Sequence, residues 1–180
     1  MSRSAASPRC IEGVGAGPFR EALGRFATGV TLVTAAAEGA PLGLVANSLA
    51  AVSLSPPLVS FCPSRDSFTW QRMRRARRFG VNVLGHQHEA FVRRAAPAGA
   101  ERFAGIDWNL TPSGVPRLGD ALAFIECAID AEHPAGDHWI VVGRVEDAHV
   151  DQAGTPLVFW ASRFGCLGGP RVMPVHPQGH

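Results

Sequence analysis

Apolar and polar positions change period several times along the chain, and those changes mark out its elements. From Pro18, residues Phe19, Ala22, Leu23, Phe26 and Ala27 recur at i, i+3, i+4, i+7 and i+8. That spacing is the stripe of one buried helix face, with Gly29 as its stop. VTLVTAA (30–36) is β-branched and apolar, Glu38-Gly39 offers a turn, and PLGLVANSLAAVSL (41–54) continues in the same character. Together they predict a hairpin. The SPP run at 55–57 interrupts, and LVSFC (58–62) predicts another strand. SFTWQRMRRARR (67–78) predicts a helix capped by Ser67, FGVNVLG (79–85) a strand, and HQHEAFVRRAA (86–96) a helix stopped by Pro97. Three more strands are predicted at 121–133, 138–150 and 156–162, with no helical period between them. Strands joined by short turns, with few helices, predict a mainly β fold: an antiparallel barrel or curled sheet with flanking helices, not alternating β-α-β units.

A length of 180 residues suits one domain. Residues 1–17 and 167–180 are rich in small residues and Pro without periodicity, so they are expected as tails around a domain at 18–166. A net charge of +2 supplies no concentrated basic face, which argues against nucleic acid and for a small-molecule protein. Cys10, Cys62, Cys127 and Cys166 lie far apart without metal spacing, which suits reduced cytoplasmic thiols. The first residues contain no apolar signal region, and no stretch approaches the roughly 18 apolar residues that span a bilayer. A cytoplasmic protein that does not engage membranes is expected.

GVGAGP (13–18) lacks the upstream strand that a dinucleotide-binding glycine loop requires, and is assigned to the tail. His86 and His88 diverge on a helix, and HEAFV lacks the second His of a zincin motif, so no metal is expected and the segment reads as a solvated helix start. No GxSxG occurs. Five arginines between Arg72 and Arg78 are interleaved with Trp70, Met73, Ala76 and Phe79. A solvated helix face is the default there, with a phosphate or adenine partner still open. GLVANS (43–48) and CPSRDSFTW (62–70) are more pointed: small hydroxyls, an amide and a guanidinium at the ends of apolar strands suit a ligand that is flat and polar at one end and anionic at the other. His138 opens a strand directly after a Gly-Asp turn, at a barrel rim, where a structural and a functional role weigh equally. FWASRFG (159–165) adds an aromatic pair and Arg163 at the end of the final predicted strand.

Taken in order, FREALGRFATGVTLVT, PLGLVANSLAAVSLSPPLVSFCPS, RRFGVNVL, RFAGIDW, GDHWIVVGRV and PLVFW resemble landmarks of the short-chain NAD(P)H:flavin oxidoreductases, the flavin reductase components of two-component flavin-dependent monooxygenases. The resemblance spans about residues 18–166. It implies an FMN-binding split β-barrel, antiparallel and Greek-key-like, usually a homodimer with flavin near the subunit interface. By similarity, the backbone of Pro41, Leu42, Gly43, Leu44 and Val45 lines the isoalloxazine. Asn47 and Ser48 meet its polar edge or ribityl chain, and Cys62, Pro63 and Ser64 close on ring and ribityl. Phe68 and Thr69 follow at the phosphate, which Arg94 neutralises. Hydroxyls, backbone N–H groups and a fork-shaped cation suit such a phosphate.

The resemblance further places NADH or NADPH over the exposed ring face, near His138 and near Phe159, Trp160, Ala161 and Ser162. The flavin carries the hydride chemistry, so the protein supplies geometry that brings nicotinamide C4 within about 3–3.5 Å of flavin N5. His138 is expected as a positioning or proton-related group. Reduced FMN or FAD then serves a partner monooxygenase. Two departures from the family stand out: Phe164 occupies the place after the last strand where Tyr is frequent, and Phe68 replaces a polar residue. A flavin sensor or storage protein without turnover, and an oxidase or oxygenase acting on its own substrate, remain alternatives.

Overall fold

A computed structural model describes residues 15–37, 39–95, 103, 106–150 and 154–167. The proposed tails lie almost wholly outside these, as do Cys10, Pro97 and parts of GVGAGP and RFAGIDW. The elements are α1 (Ala16–Leu23), β1 (Thr28–Gly29), β2 (Thr31–Ala37), β3 (Ala40–Ala46), β4 (Ala50–Leu54), β5 (Pro57–Phe61), α2 (Phe68–Met73), β6 (Arg78–Val83), α3 (Glu89–Ala95), β7 (Trp108–Leu110), β8 (Pro116–Leu118), β9 (Ala123–Ala135), β10 (His138–Val150), β11 (Leu157–Trp160) and β12 (Arg163–Cys166).

Seven strands form one antiparallel sheet in the order β3-β2-β6-β9-β10-β5-β4. Its topology forces closure. β3 and β4 are the two edges, yet only Asn47, Ser48 and Leu49 connect them. Laid flat, seven strands would hold those edges roughly 29 Å apart, whereas the link reaches at most about 14 Å. The sheet therefore rolls into a barrel. No ladder joins β3 to β4 among the described residues, which leaves an open seam: the split barrel expected from the sequence.

Alternation along the strands fills the barrel. Phe61, Trp70 and Phe79 are fully buried, with Phe61 meeting Trp70 edge-on at 5.2 Å and Phe79 at 5.2 Å. Such pairs contribute about 0.5–1.5 kcal/mol beyond area burial. Gly143 makes room for this cluster, since a Cβ there would sit 2.4 Å from Cζ of Phe79. Buried Asn82 donates to Leu32 O at 3.1 Å and accepts from Leu118 N–H at 2.8 Å, tying β8 to the barrel. A second cluster, with Leu32, Leu84, Val92 and Leu157, lies between the barrel and α3.

Several expectations are corrected. No residue of α1 is buried, and the helix stops at Gly24, not Gly29. The predicted apolar stripe exists, but Phe19, Leu23 and Phe26 are 56%, 55% and 72% exposed, because no described element packs over it. The helix predicted at 67–78 is cut to Phe68–Met73 plus a 3-10 turn (Arg74–Ala76), ended by left-handed Arg77 at φ +59°. His88 is buried: its Nδ1 accepts from Gly85 N–H at 3.1 Å and its Nε2 lies 2.9 Å from Asp120. The strand predicted at 156–162 ends at Trp160, and Ala161 and Ser162, both at positive φ, form the turn of a β11–β12 hairpin. Phe164 thus lies inside a further strand, not after the last one. Among the described residues no helix is long and apolar enough to cross a membrane, and no cluster suits a metal.

Candidate active site

The corner between the barrel edges gathers most of the expected residues. β3 pairs with β2 from Pro41↔Ala36 to Ala46↔Thr31, while its other edge has no strand partner among the described residues, so backbone donors and acceptors face the seam there. Asn47 is exposed just beyond it. Ser48 turns inward, its Oγ accepting from Cys62 N–H at 2.9 Å, which fastens the link to the end of β5. Cys62 is half-buried, and burial pushes its thiol above the ordinary value.

From Cys62 the chain passes directly to His138. Pro63 O accepts from Trp139 N–H at 2.9 Å, Asp137 O accepts from Arg65 N–H at 2.9 Å, and Ser64 faces His138 in an isolated antiparallel bridge. His138 is exposed, with Nδ1 2.7 Å from Asp137 Oδ1. That hydrogen bond, joined by the charge of His138, holds the Asp137 carboxyl below its ordinary value, and Arg20 of α1 adds to the effect. Asp137 fixes the imidazole, and reasoning from sequence passed over it. The dipeptide itself was the available signal.

The loop continues into α2. Ser67 N–H donates to Ser64 O at 3.1 Å, and Ser67 Oγ caps the helix by accepting from Trp70 N–H at 3.2 Å. Phe68 projects into solvent, 72% exposed, with the Arg72 guanidinium 5.9 Å from its ring centre. Thr69 is half-buried. α2, which carries Thr69, and α3, which carries Arg94, both pack on β3. Arg94 is exposed and has no acidic partner among the described residues.

One expected group stands apart. Phe159, Trp160, Ala161 and Ser162 belong to a separate three-stranded sheet, β1-β11-β12. Their turn is held by the residues that end α1: Ala161 N–H donates to Gly24 O at 2.8 Å, and Trp160 Nε1 to Arg25 O at 3.3 Å. α1 is the element common to this hairpin and to Asp137, and no direct bond joins the hairpin to His138 among the described residues.

Residues 23–168 match the flavin reductase like domain. The chain is 38% identical over 156 residues to the reductase subunit HsaB of a flavin-dependent monooxygenase from Rhodococcus jostii, covering 87% of this chain and 80% of that one. Its structure is similar to nitrilotriacetate monooxygenase component B from Mycobacterium thermoresistibile, with a TM-score of 0.83 and 36% identity over 88% of this chain and 89% of the other. It is also similar to the NADH:FAD oxidoreductase of Streptomyces globisporus solved with NAD and FAD fragments, with a TM-score of 0.79 and 37% identity over 87% and 94%. On the domain match and on these identities, the chain belongs to the flavin reductase like domain family.

Proposed function

We propose that the protein oxidises NADH or NADPH, passes the hydride to FMN or FAD, and releases reduced flavin to a partner monooxygenase. The observation that carries this reading is the continuous rim Ser48–Cys62–Ser64–His138, bonded link by link along the barrel seam.

The residues at the seam fit a flavin. The edge of β3 that faces the seam, Pro41 to Val45, suits the polar edge of a flat ring, and its apolar side chains line the faces. Asn47 and Ser64 suit the ring edge and ribityl, while Thr69 and Arg94 suit the phosphate. Bound flavin supplies two-electron acceptor chemistry at its ring. The chain's own residues bind and orient. Cys62 and Pro63 close one side, and the Asp137-braced imidazole of His138 positions the nicotinamide. Phe159 and Trp160, on the α1-anchored hairpin, form the outer wall against which the donor rests.

A homodimer completes the site in this reading, the exposed apolar face of α1 being covered by a second copy. Free Cys62, Cys127 and Cys166 accord with work in the reducing cytoplasm. The test is the loss of NADH absorbance by purified protein with FMN, FAD or riboflavin added separately, repeated with NADPH. NADH loss that requires added flavin is the expected result. Flavin binding without NADH loss in any combination refutes the reductase.

A further inference from the structure

Trp139 points away from His138, into the barrel end, and borders a second concavity of about 580 Å³. Four arginines, two carboxylates, Gln71 and Trp139 line it. Part of this wall is already assembled. Arg74 is bonded to Glu132 at 2.9 Å and lies over the Trp139 ring at 4.9 Å, while Arg65 donates to Gly136 O at 3.3 Å and lies over the same ring at 5.5 Å. Arg75 and Arg77 also line the cavity, and neither has an acidic partner among the described residues.

Two further observations set this concavity apart from an ordinary basic surface. Arg77 has φ +59°, a left-handed conformation that is strained for a non-glycine residue and that glycine adopts freely. An arginine kept at such cost on a cavity wall points to work for its side chain. Glu132 Oε1, in the same wall, is buried without a hydrogen-bond partner, an acceptor that calls for a donor. The volume lies in the range of small-molecule sites and far exceeds a bare anion.

We propose that this cavity is a nucleotide site for an adenosine 5′-phosphate moiety, the non-reacting half of a dinucleotide. Arg75 and Arg77 hold the phosphate, and Glu132 accepts from a ribose hydroxyl or the adenine amino group. The cavity begins one residue past Ser64, and its wall residue Arg65 bonds the Gly136-Asp137 turn that carries His138. The choice of a dinucleotide rests on the reductase reading, whereas the site itself does not.

AMP and inorganic phosphate are titrated calorimetrically into the wild-type protein, Arg77→Gly and Arg75→Gln, without flavin or NADH. AMP is expected to bind wild type and to bind each variant roughly 10- to 100-fold more weakly, the loss of a charge-assisted bond, while the Tm of Arg77→Gly holds or rises. Absent AMP binding, equal binding by both variants, or phosphate bound as tightly as AMP overturns the site. Comparison of FAD with FMN affinity and of NADH with NMNH KM in the variants then identifies the source. A loss confined to FAD assigns the flavin's adenylate half, and one confined to NADH assigns the donor's. AMP binding lost with neither changed overturns the dinucleotide assignment, and turnover that fails while AMP still binds refutes the reductase reading alone.

Discussion

Ser64 and His138 face one another across an isolated antiparallel bridge, clamped on one side by Trp139 N–H to Pro63 O and on the other by Arg65 N–H to Asp137 O, each at 2.9 Å. The Cys62–Ser64 turn and the imidazole are thereby one mechanical unit. A backbone shift in either moves the other.

His138→Ala should lower kcat/KM for NADH by roughly 10- to 100-fold, the scale of a misaligned donor, with flavin affinity changed less than about threefold. Stopped-flow hydride transfer and a flavin titration separate the two, and equal losses in both would assign His138 to flavin binding. Asp137→Asn keeps the imidazole but replaces the carboxylate, held below its ordinary value of 3.8 by His138, with a neutral amide that braces the ring less strongly. The folded-state pKa is lowered, so the brace is present above that value and is lost only in strong acid. The variant should therefore show the reduced rate at neutral pH that wild type reaches only at the acid limit.

Ser48→Ala leaves Cys62 N–H without its acceptor at 2.9 Å. An orphaned, partly buried donor costs about 1–3 kcal/mol, read as a fall in the urea midpoint. Because the same bond pins the three-residue link across the seam, flavin affinity should fall together with stability. Ser48→Thr should restore both.

The strands were legible because each carries its own period. β2, β5, β6 and β10 appear within a residue or two of their predicted places, and His138 opens β10 as expected, whereas the hairpin arm predicted at 41–54 divides into β3 and β4. The closure of the sheet was not written in any one segment, since it follows from β3 and β4 being opposite edges joined by three residues. The β7–β8 hairpin and β12 were missed because strands of three or four residues are too short to show alternation. α1 was placed but assigned a buried face, since an apolar stripe tells that something covers it, not what. At the site, Ser48, Cys62, Pro63, Ser64 and His138 came together. Trp139 was overlooked because its contacts with Arg65 and Arg74 join positions more than sixty residues apart.

Gly143→Ala should be among the most damaging single-methyl changes in the protein. The added Cβ would sit 2.4 Å from Cζ of Phe79 and 3.0 Å from Cβ of Cys127, both fully buried. Overpacking of this kind costs about 1–3 kcal/mol or more. Thermal denaturation checks it, and Gly165→Ala, with open space at its Cβ, serves as the neutral control.

Alkaline stability should hinge on Cys127. Burial, then the charges of Glu146 and Glu126, push its thiol from 9.0 up to about 12. The folded state holds this proton more tightly than the unfolded chain, so the contribution is complete below pH 9 and is lost as the pH climbs to 12. The loss amounts to roughly 4 kcal/mol. The chain has neither Lys nor Tyr to titrate in that window, which leaves cysteine to dominate the slope. Urea unfolding between pH 8 and pH 11 should show the decline, and Cys127→Ala should flatten it.

The apolar stripe of α1 makes the last prediction. Phe19 and Leu23 of α1 and Phe26 just after it lie more than half exposed, and the same segment holds the β11–β12 turn through Gly24 and Arg25. Apolar rings presented together on one surface mark a contact, whereas singly scattered ones do not. If a second copy covers them, sedimentation of the wild type should give a dimer, and the Leu23→Ser, Phe26→Ser double variant a monomer. Tm should fall with dilution in the wild type and become concentration-independent in the variant. Because Arg20 on the same helix acts on Asp137, loss of the contact should also raise KM for NADH more than it lowers kcat. A variant that stays dimeric would place the subunit contact elsewhere and return α1 to a role in bracing the hairpin alone.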